Sequence, residues 1–287
     1  MEYEGQICRS PMERASFMLP VSVGCSYNRC YFCMLFKHLS YRELPLEQVE
    51  GELIRVREAG GDPKQVFLGD GNAFQLPTRR LLRILELVHR YFPSCISVNM
   101  DATVSSVLAR SQEELTDLAR AGVDYLYLGI ESGLDDVLAF MNKDHDMAQA
   151  GEAVRRLHRA GMRYAAHMMT GVAGHGRGEE NARALGRFYN ETGPGRIVNF
   201  SMFLHREAPL YRLIERGRFV PADELENLEE ERILLEELEV PVEYDGFHDA
   251  IPVRVRGRLP DDRNRMLRKL DEAIAVQRTR EPLVAVV

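Results

Sequence analysis

The chain has 287 residues, 45% of them hydrophobic and 28% charged, which suffices for the core and the solvated surface of one large domain. Its formal net charge of −7 argues against nucleic acid as a main partner, because binding a phosphate backbone rests on Lys and Arg displacing counterions. No stretch approaches the ~20 apolar residues of a membrane helix. Residues 1–14 carry Glu4 and Glu13 and no apolar segment, so neither a membrane span nor a secretory signal is expected.

Residues 17–23 form a short apolar run of strand length, and residues 46–59 follow as a helix. Residues 65–68 are the second run. Pro77 and Thr78 then open a helix whose Leu81, Leu82, Leu85, Val88 and Phe92 make an apolar stripe. Residues 96–99 are the third run. Ser111 and Glu114 form a capping box, and Gly122 sits where that helix must stop. Residues 125–130 are the fourth run, followed by a stripe of Met147, Ala150, Val154, Leu157 and Ala160 that Gly161 ends. Residues 164–169, a helix over 179–189, and residues 197–203 complete the alternation.

Six runs rich in Val, Ile, Phe and Tyr, each followed by a helix, mean βαβ units and a parallel α/β sheet. An open doubly wound sheet and a partial barrel both fit this periodicity. Beyond residue 205 the alternation fades into a charged helix over 222–239, a segment punctuated by Pro and Gly over 241–260, and a helix over 263–278. Within that segment Arg254, Arg256 and Arg258 alternate with Val253 and Val255, as a basic cleft or a solvated strand face would. The apolar tail 282–287 is an edge strand or a frayed end.

The densest chemistry lies in Gly24-Cys25-Ser26-Tyr27-Asn28-Arg29-Cys30-Tyr31-Phe32-Cys33, directly after the first strand. A cytoplasmic location is expected, where thiols stay reduced and five cysteines serve as metal ligands or core residues, not disulfides. Thiolates at this spacing select an iron–sulfur cluster or zinc. A structural zinc site wants four ligands, with His38 available as the fourth. A four-iron four-sulfur (4Fe-4S) cluster on three thiolates leaves one iron open to a substrate or cofactor. Simple core packing is the third reading.

The loop resembles the cluster loop of the radical S-adenosylmethionine superfamily, with Cys-x4-Cys-x2-Cys where Cys-x3-Cys-x2-Cys is the commonest spacing there. Phe32 before the last cysteine matches the aromatic residue common in that family. Val66-Phe67-Leu68-Gly69-Asp70-Gly71-Asn72 is similar to the segment that holds the methionyl amino group of the cofactor. Gly129-Ile130-Glu131-Ser132-Gly133 is similar to a Gly-x-Glu-Ser-Gly segment of the coproporphyrinogen-type and elongator-type branch. Met141-Asn142-Lys143, Ala160-Gly161-Met162, Thr170-Gly171-Val172 and Ala208-Pro209-Leu210-Tyr211 continue the resemblance, which covers roughly residues 8–212.

The resemblance implies a partial (βα)6 barrel over 1–205, its strands in sequential order, with a mostly helical C-terminal extension over 206–287 that closes it. It implies a 4Fe-4S cluster on Cys25, Cys30 and Cys33, and S-adenosylmethionine bound by Phe32, Gly69, Asp70, Gly71, Asn99, Glu131, Ser132 and His167. One electron cleaves the cofactor to a 5′-deoxyadenosyl radical, which abstracts hydrogen from a small-molecule substrate. A reductase, flavodoxin or ferredoxin supplies that electron. His205 and His248 are candidates for proton transfer at the substrate.

Each candidate also has a structural alternative. Glu131 suits a helix N-terminus, Asn99 and Asp101 suit turns, and the three histidines suit satisfied core positions. Only Cys8 and Cys95 lie outside the loop, too few for a second cluster, and no cobalamin-type segment precedes the loop. Elimination, decarboxylation or rearrangement is therefore expected over sulfur insertion or methylation. A non-catalytic iron–sulfur electron carrier and a zinc-stabilised barrel enzyme are the alternatives. An electron carrier, however, needs no glycine-rich cradle at its strand ends.

Overall fold

The computed structural model describes residue 4, residues 8–248 and residues 250–287; residues 1–3, 5–7 and 249 lie outside the described residues. The strands are β1 (Phe17–Pro20), β2 (Ser22–Val23), β3 (Arg42–Glu43), β4 (Gln65–Gly69), β5 (Ser97–Ala102), β6 (Val123–Glu131), β7 (Arg163–Thr170), β8 (Arg196–Ser201), β9 (Val242–Phe247) and β10 (Arg254–Leu259). The helices are α1 (Leu46–Glu58), α2 (Thr78–Tyr91), α3 (Val104–Leu108), α4 (Gln112–Arg120), α5 (Asp135–Phe140), α6 (Met147–Ala160), α7 (Gly178–Thr192), α8 (Pro209–Glu215), α9 (Glu224–Glu237) and α10 (Arg263–Gln277). All six expected strands and the expected helices form.

The sheet has the strand order β1-β4-β5-β6-β7-β8-β9-β10, which follows the chain without reversal. A doubly wound sheet reverses at a switch point, so that alternative is excluded. Pairing is parallel between β1 and β4, β4 and β5, β5 and β6, β7 and β8, and β8 and β9. β10 runs antiparallel, against β9. This mostly parallel, sequential sheet is the topology of a partial (βα) barrel.

The chain divides into two compact units. One holds residues up to Asn28, Leu35–Gly129 and Glu152–Tyr164. Its strands are buried on both faces by Leu19, Val66, Leu68, Val98, Met100, Leu126 and Leu128. The stripes of α2 (Leu81, Ile84, Leu85, Val88) and α4 (Leu115, Leu118) cover them. The capping box of Ser111 and Glu114 starts α4 as expected, and a second box, Thr103 with Ser106, starts α3. A short hairpin of β2 and β3 brackets the cysteine loop.

The other unit holds Arg29–Met34, Ile130–Gly151 and Ala165–Val287. Here α7 packs on α9, and the buried face of α9 is partly polar: Glu224, Asn227, Glu230 and Glu231 are almost wholly enclosed. A separate apolar cluster of Val137, Met141, Val172, Met202, Leu204 and Leu210 packs against Tyr31 and Phe32.

Two expectations are corrected. Residues 241–260 contain two strands, because Val242, Tyr244, Val255 and Leu259 face the helices while the charged residues between them pair on the other face. The helical extension therefore also lengthens the sheet beyond its sixth strand. The third strand runs on to Ala102 and the sixth stops at Ser201, which moves the ends on which Asn99 and His205 were placed. The tail docks as extended chain, with Val286 bridged to Leu204.

Candidate functional site

In the first unit the cysteine loop is tied at its base. The Asn28 side-chain amide donates to the Phe36 carbonyl at 2.8 Å and Lys37 donates to the Asn28 carbonyl at 2.6 Å. Cys25 follows β2 and is half-buried. The end of β4 presses directly on it: Gly71 has φ +48°, and a Cβ there would lie 2.6 Å from the Gly24 carbonyl oxygen and 2.8 Å from the Cys25 Cα. Only glycine permits that approach. Asn72 donates to Ser26 Oγ at 3.2 Å and to Thr103 Oγ1 at 3.1 Å, so it links the loop to the end of β5.

Asp70, between those glycines, is buried, and its Oδ1 has no hydrogen-bond partner among the described residues. Burial pushes its carboxyl up to about 6, although the backbone N–H groups of Gly71 and Gly24 pull the other way. A buried carboxylate oxygen in this state is a receptor for a cation.

Asn99 is not brought to this edge. It is fully enclosed; its amide donates to Glu13 at 2.9 Å, and its carbonyl accepts from Ser97 and from the Tyr125 N–H. Tyr127 joins the same knot on Glu13 at 2.7 Å. Asn99 therefore builds the core instead of binding the cofactor. Asp101, two residues on and half-buried, shares its strand face nearer the carboxyl end.

In the second unit the stretch carrying Cys30 and Cys33 is fixed through its backbone. Tyr31 donates to the Met141 carbonyl at 3.0 Å and accepts from the Leu210 N–H at 3.0 Å, while the Asn142 amide holds the Arg29 carbonyl at 3.0 Å. Lys143 is a residue that sequence reasoning passed over as a motif letter. It is buried, bonds Glu131 at 3.2 Å, and lies 6.0 Å over the Phe32 ring. Burial works against its charge, but Glu131, Cys30 and Asp144 outweigh burial and raise it above the ordinary lysine value. Glu131 has φ +64°, a conformation that costs a non-glycine residue and that its ion pair with Lys143 holds. Burial, with Lys143 nearby, pushes His167 down to about 4, so its ring is neutral at physiological pH.

Three other candidates take up contacts of their own. The Ser132 hydroxyl is fully buried, donates to Asn181 Oδ1 at 2.7 Å and accepts from the Leu134 N–H, so it braces the start of α5 and faces no ligand. His205 lies beyond the strand with its ring 5.2 Å from that of Phe203. His248 is buried, its Nδ1 2.7 Å from Glu224 and its Nε2 3.0 Å from Glu231. Both ring nitrogens are spent on α9 carboxylates, because strand alternation from Tyr244 through Gly246 turns His248 to the helix side.

A family model described as the Radical SAM superfamily matches residues 19–186. The chain belongs to the radical SAM superfamily. It is similar to the heme chaperone HemW of Bacillus subtilis, with 21% identity over 229 residues, covering 76% of this chain and 58% of that protein. It is similar also to an uncharacterized protein of Methanocaldococcus jannaschii, with 21% identity over 183 residues, covering 59% of this chain and 56% of the other. The chain thus spans less than two thirds of the length of these curated relatives. Among solved structures, the N-terminally truncated archaeal Elp3 of Methanocaldococcus infernus shares the fold at a TM-score of 0.57 and 14% identity, over 93% of this chain and 64% of that one. Methylornithine synthase (PylB) does so at 0.56 and 16%, over 78% and 63%.

The radical SAM domain of this chain is one that takes a 4Fe-4S cluster and S-adenosylmethionine. Its residues fit both cofactors. Three thiolates suit an iron–sulfur cluster, the open Asp70 oxygen suits an ammonium group, and Gly71 seats the strand end on the loop. Among the described residues no three His, Cys, Asp or Glu side chains are drawn around one metal ion. A cubane cluster takes each thiolate on a separate iron. No helix is long and apolar enough to cross a membrane, among the described residues.

Proposed function

We propose that this enzyme reductively cleaves S-adenosylmethionine at a cluster held by Cys25, Cys30 and Cys33 and abstracts hydrogen from a small substrate, with elimination, decarboxylation or rearrangement as the outcome. When bound, the cluster and S-adenosylmethionine supply the electron transfer and the 5′-deoxyadenosyl radical. The protein's residues bind and orient. Asp70 receives the cofactor's ammonium, Glu131 and Lys143 hold its polar groups beside Cys30, and neutral His167 offers hydrogen bonds without a charge. Residues 206–287 act as the extension that serves the substrate end of a barrel formed by 1–205. A flavodoxin, ferredoxin or dedicated reductase in the cytoplasm supplies the electron. Cys95 supports a single cluster: it is buried, with its thiol 3.5 Å from the Ser97 carbonyl oxygen and pushed up by burial.

The observation that carries this reading is Asp70, a buried carboxylate with an unpartnered oxygen, seated through Gly71 against Cys25. The test is anaerobic reconstitution followed by incubation with reductant and S-adenosylmethionine. Wild type should hold about four irons and release 5′-deoxyadenosine. Replacing Cys25, Cys30 or Cys33 by Ala should abolish both. Asp70→Asn should keep the iron yet weaken cofactor binding by about tenfold or more, the worth of one charged hydrogen bond. Full iron and cleavage in any cysteine variant would refute the ligand set.

A further inference from the structure

The sheet face turned away from α7 and α9 carries a continuous row of side chains at the carboxyl ends of β7, β8 and β9. Register sets Met169 beside Phe200 and Phe200 beside Phe247, and antiparallel pairing sets Arg254 opposite Phe247. The His167 ring stands edge-on to Phe200 at 5.7 Å, and Phe200 stands edge-on to Phe247 at 4.5 Å. The Arg254 guanidinium carbon lies 6.0 Å from the Phe247 centroid. All five residues are half-buried, neither fully enclosed nor fully exposed.

Arg254 is held in one orientation. Its Nε donates to Asp245 Oδ1 at 2.8 Å and its Nη2 to Oδ2 at 2.5 Å, with Asp245 buried beneath. Both bonds use one edge of the guanidinium, which leaves Nη1 for a further acceptor. The rest of the arginine run behaves otherwise: Arg256 is exposed, and Arg258 pairs with Glu243 at a side chain that is 67% exposed. Arg254 alone departs from a solvated strand face.

We propose that this row is the substrate wall of the enzyme, and that Arg254 binds the carboxylate of a substrate whose flat, apolar body lies against Phe200 and Phe247. A fork already fixed in its plane loses little freedom on binding a second carboxylate. Asp245 leaves the pair neutral overall, so an incoming anion is held by the remaining Nη1 donors of the guanidinium, and a monoanionic carboxylate meets less repulsion from Asp245 than a phosphate dianion does. The aromatic edges and faces select a flat partner. The row belongs to the same compact unit as Cys30, Cys33, Glu131 and Lys143. This inference rests on the radical SAM reading above for its role in catalysis, but its ligand chemistry is testable apart from it.

The experiment is ligand-observed NMR on cluster-reconstituted protein with benzoate, 4-hydroxyphenylacetate and indole-3-acetate, each against its primary amide. At least one acid should bind about tenfold more tightly than its amide, as expected for a charge-assisted bond. The double variant Arg254→Gln/Asp245→Asn keeps a neutral hydrogen-bonded pair, which guards against unfolding, and should reduce that preference to about onefold. Phe247→Leu should weaken acid and amide alike. Equal binding of acid and amide, or no binding of any acid, overturns the proposal. Iron content and S-adenosylmethionine cleavage are measured on the same samples. Wild-type protein that keeps both yet does not discriminate acid from amide sinks this inference alone, whereas absence of both in wild type sinks the radical SAM reading.

Discussion

His248 keeps its proton because two carboxylates outweigh its burial. Burial alone would lower its proton affinity, but hydrogen bonds to Glu224 and Glu231 push it up to about 9, from an ordinary value of 6.5. The folded chain thus binds this proton more tightly than the unfolded chain does. The stabilisation is complete below about pH 6.5 and is lost as pH rises through about 9. His248→Ala leaves Glu224 and Glu231 enclosed without their cation, which should cost about 3–5 kcal/mol. Thermal denaturation from about pH 6 to pH 10 checks both points. The wild-type Tm should fall across the alkaline arm while the variant, already lower, changes little there. An unchanged Tm for the variant at neutral pH would remove the ion cluster from the account. None of this pairing was legible beforehand. A lone histidine in an irregular segment signals function about as well as it signals structure, and its partners lie 24 and 17 residues away on a helix whose glutamates read as solvated.

At the scale of elements, that helix explains most of what the sequence concealed. Ordinary amphipathic helices bury an apolar stripe, and α2 and α4 were legible for that reason. The buried face of α9 sets Glu224, Asn227, Glu230 and Glu231 among Leu228, Leu234 and Leu235. Burial pushes Glu230 up to about 7, against the pull of the Gly171 N–H and Asn181. Glu230 accepts from Gly171 at 2.8 Å and from Asn181 at 2.7 Å, and Asn181 in turn holds Ser132 Oγ and the Gly133 N–H. One polar chain thereby braces the carboxyl ends of β6 and β7, next to Glu131 and His167. Asn181→Ala breaks it at the centre, which should destabilise the fold by about 1–3 kcal/mol. It should also weaken S-adenosylmethionine binding several-fold with iron content unchanged. Denaturant titration and equilibrium dialysis read the two effects separately. Lost stability with full cofactor affinity would confine the chain to a structural role. Strand β9 was hidden by related physics: Glu243 and Asp245 interrupt its apolar pattern, and only their pairing with Arg258 and Arg254 makes them tolerable in a sheet.

For the molecule as a whole, the six parallel strands were legible because each carries buried apolar residues, such as Leu19, Val66, Val98, Leu126, Met168 and Ile197. The cysteine loop was legible because three thiols within nine positions have few structural uses. What the loop does to the whole chain follows from linkage. A group that binds the folded chain and not the unfolded one stabilises the fold in proportion to its affinity. The loop backbone is tied by hydrogen bonds with Phe36 and Lys37 and with Met141 and Leu210, none of which uses a thiolate. Loading should therefore add stability without having to create the fold. Oxidative removal of the cluster with ferricyanide and EDTA should lower Tm by several degrees, the response to a few kcal/mol in a chain of this size. Hydrogen exchange should quicken in residues 24–41, while the paired amides of β9 and β10 stay protected. Global loss of protection would mean that the cluster holds the fold together. An unchanged Tm would mean that these thiolates do not bind a cluster in the folded chain.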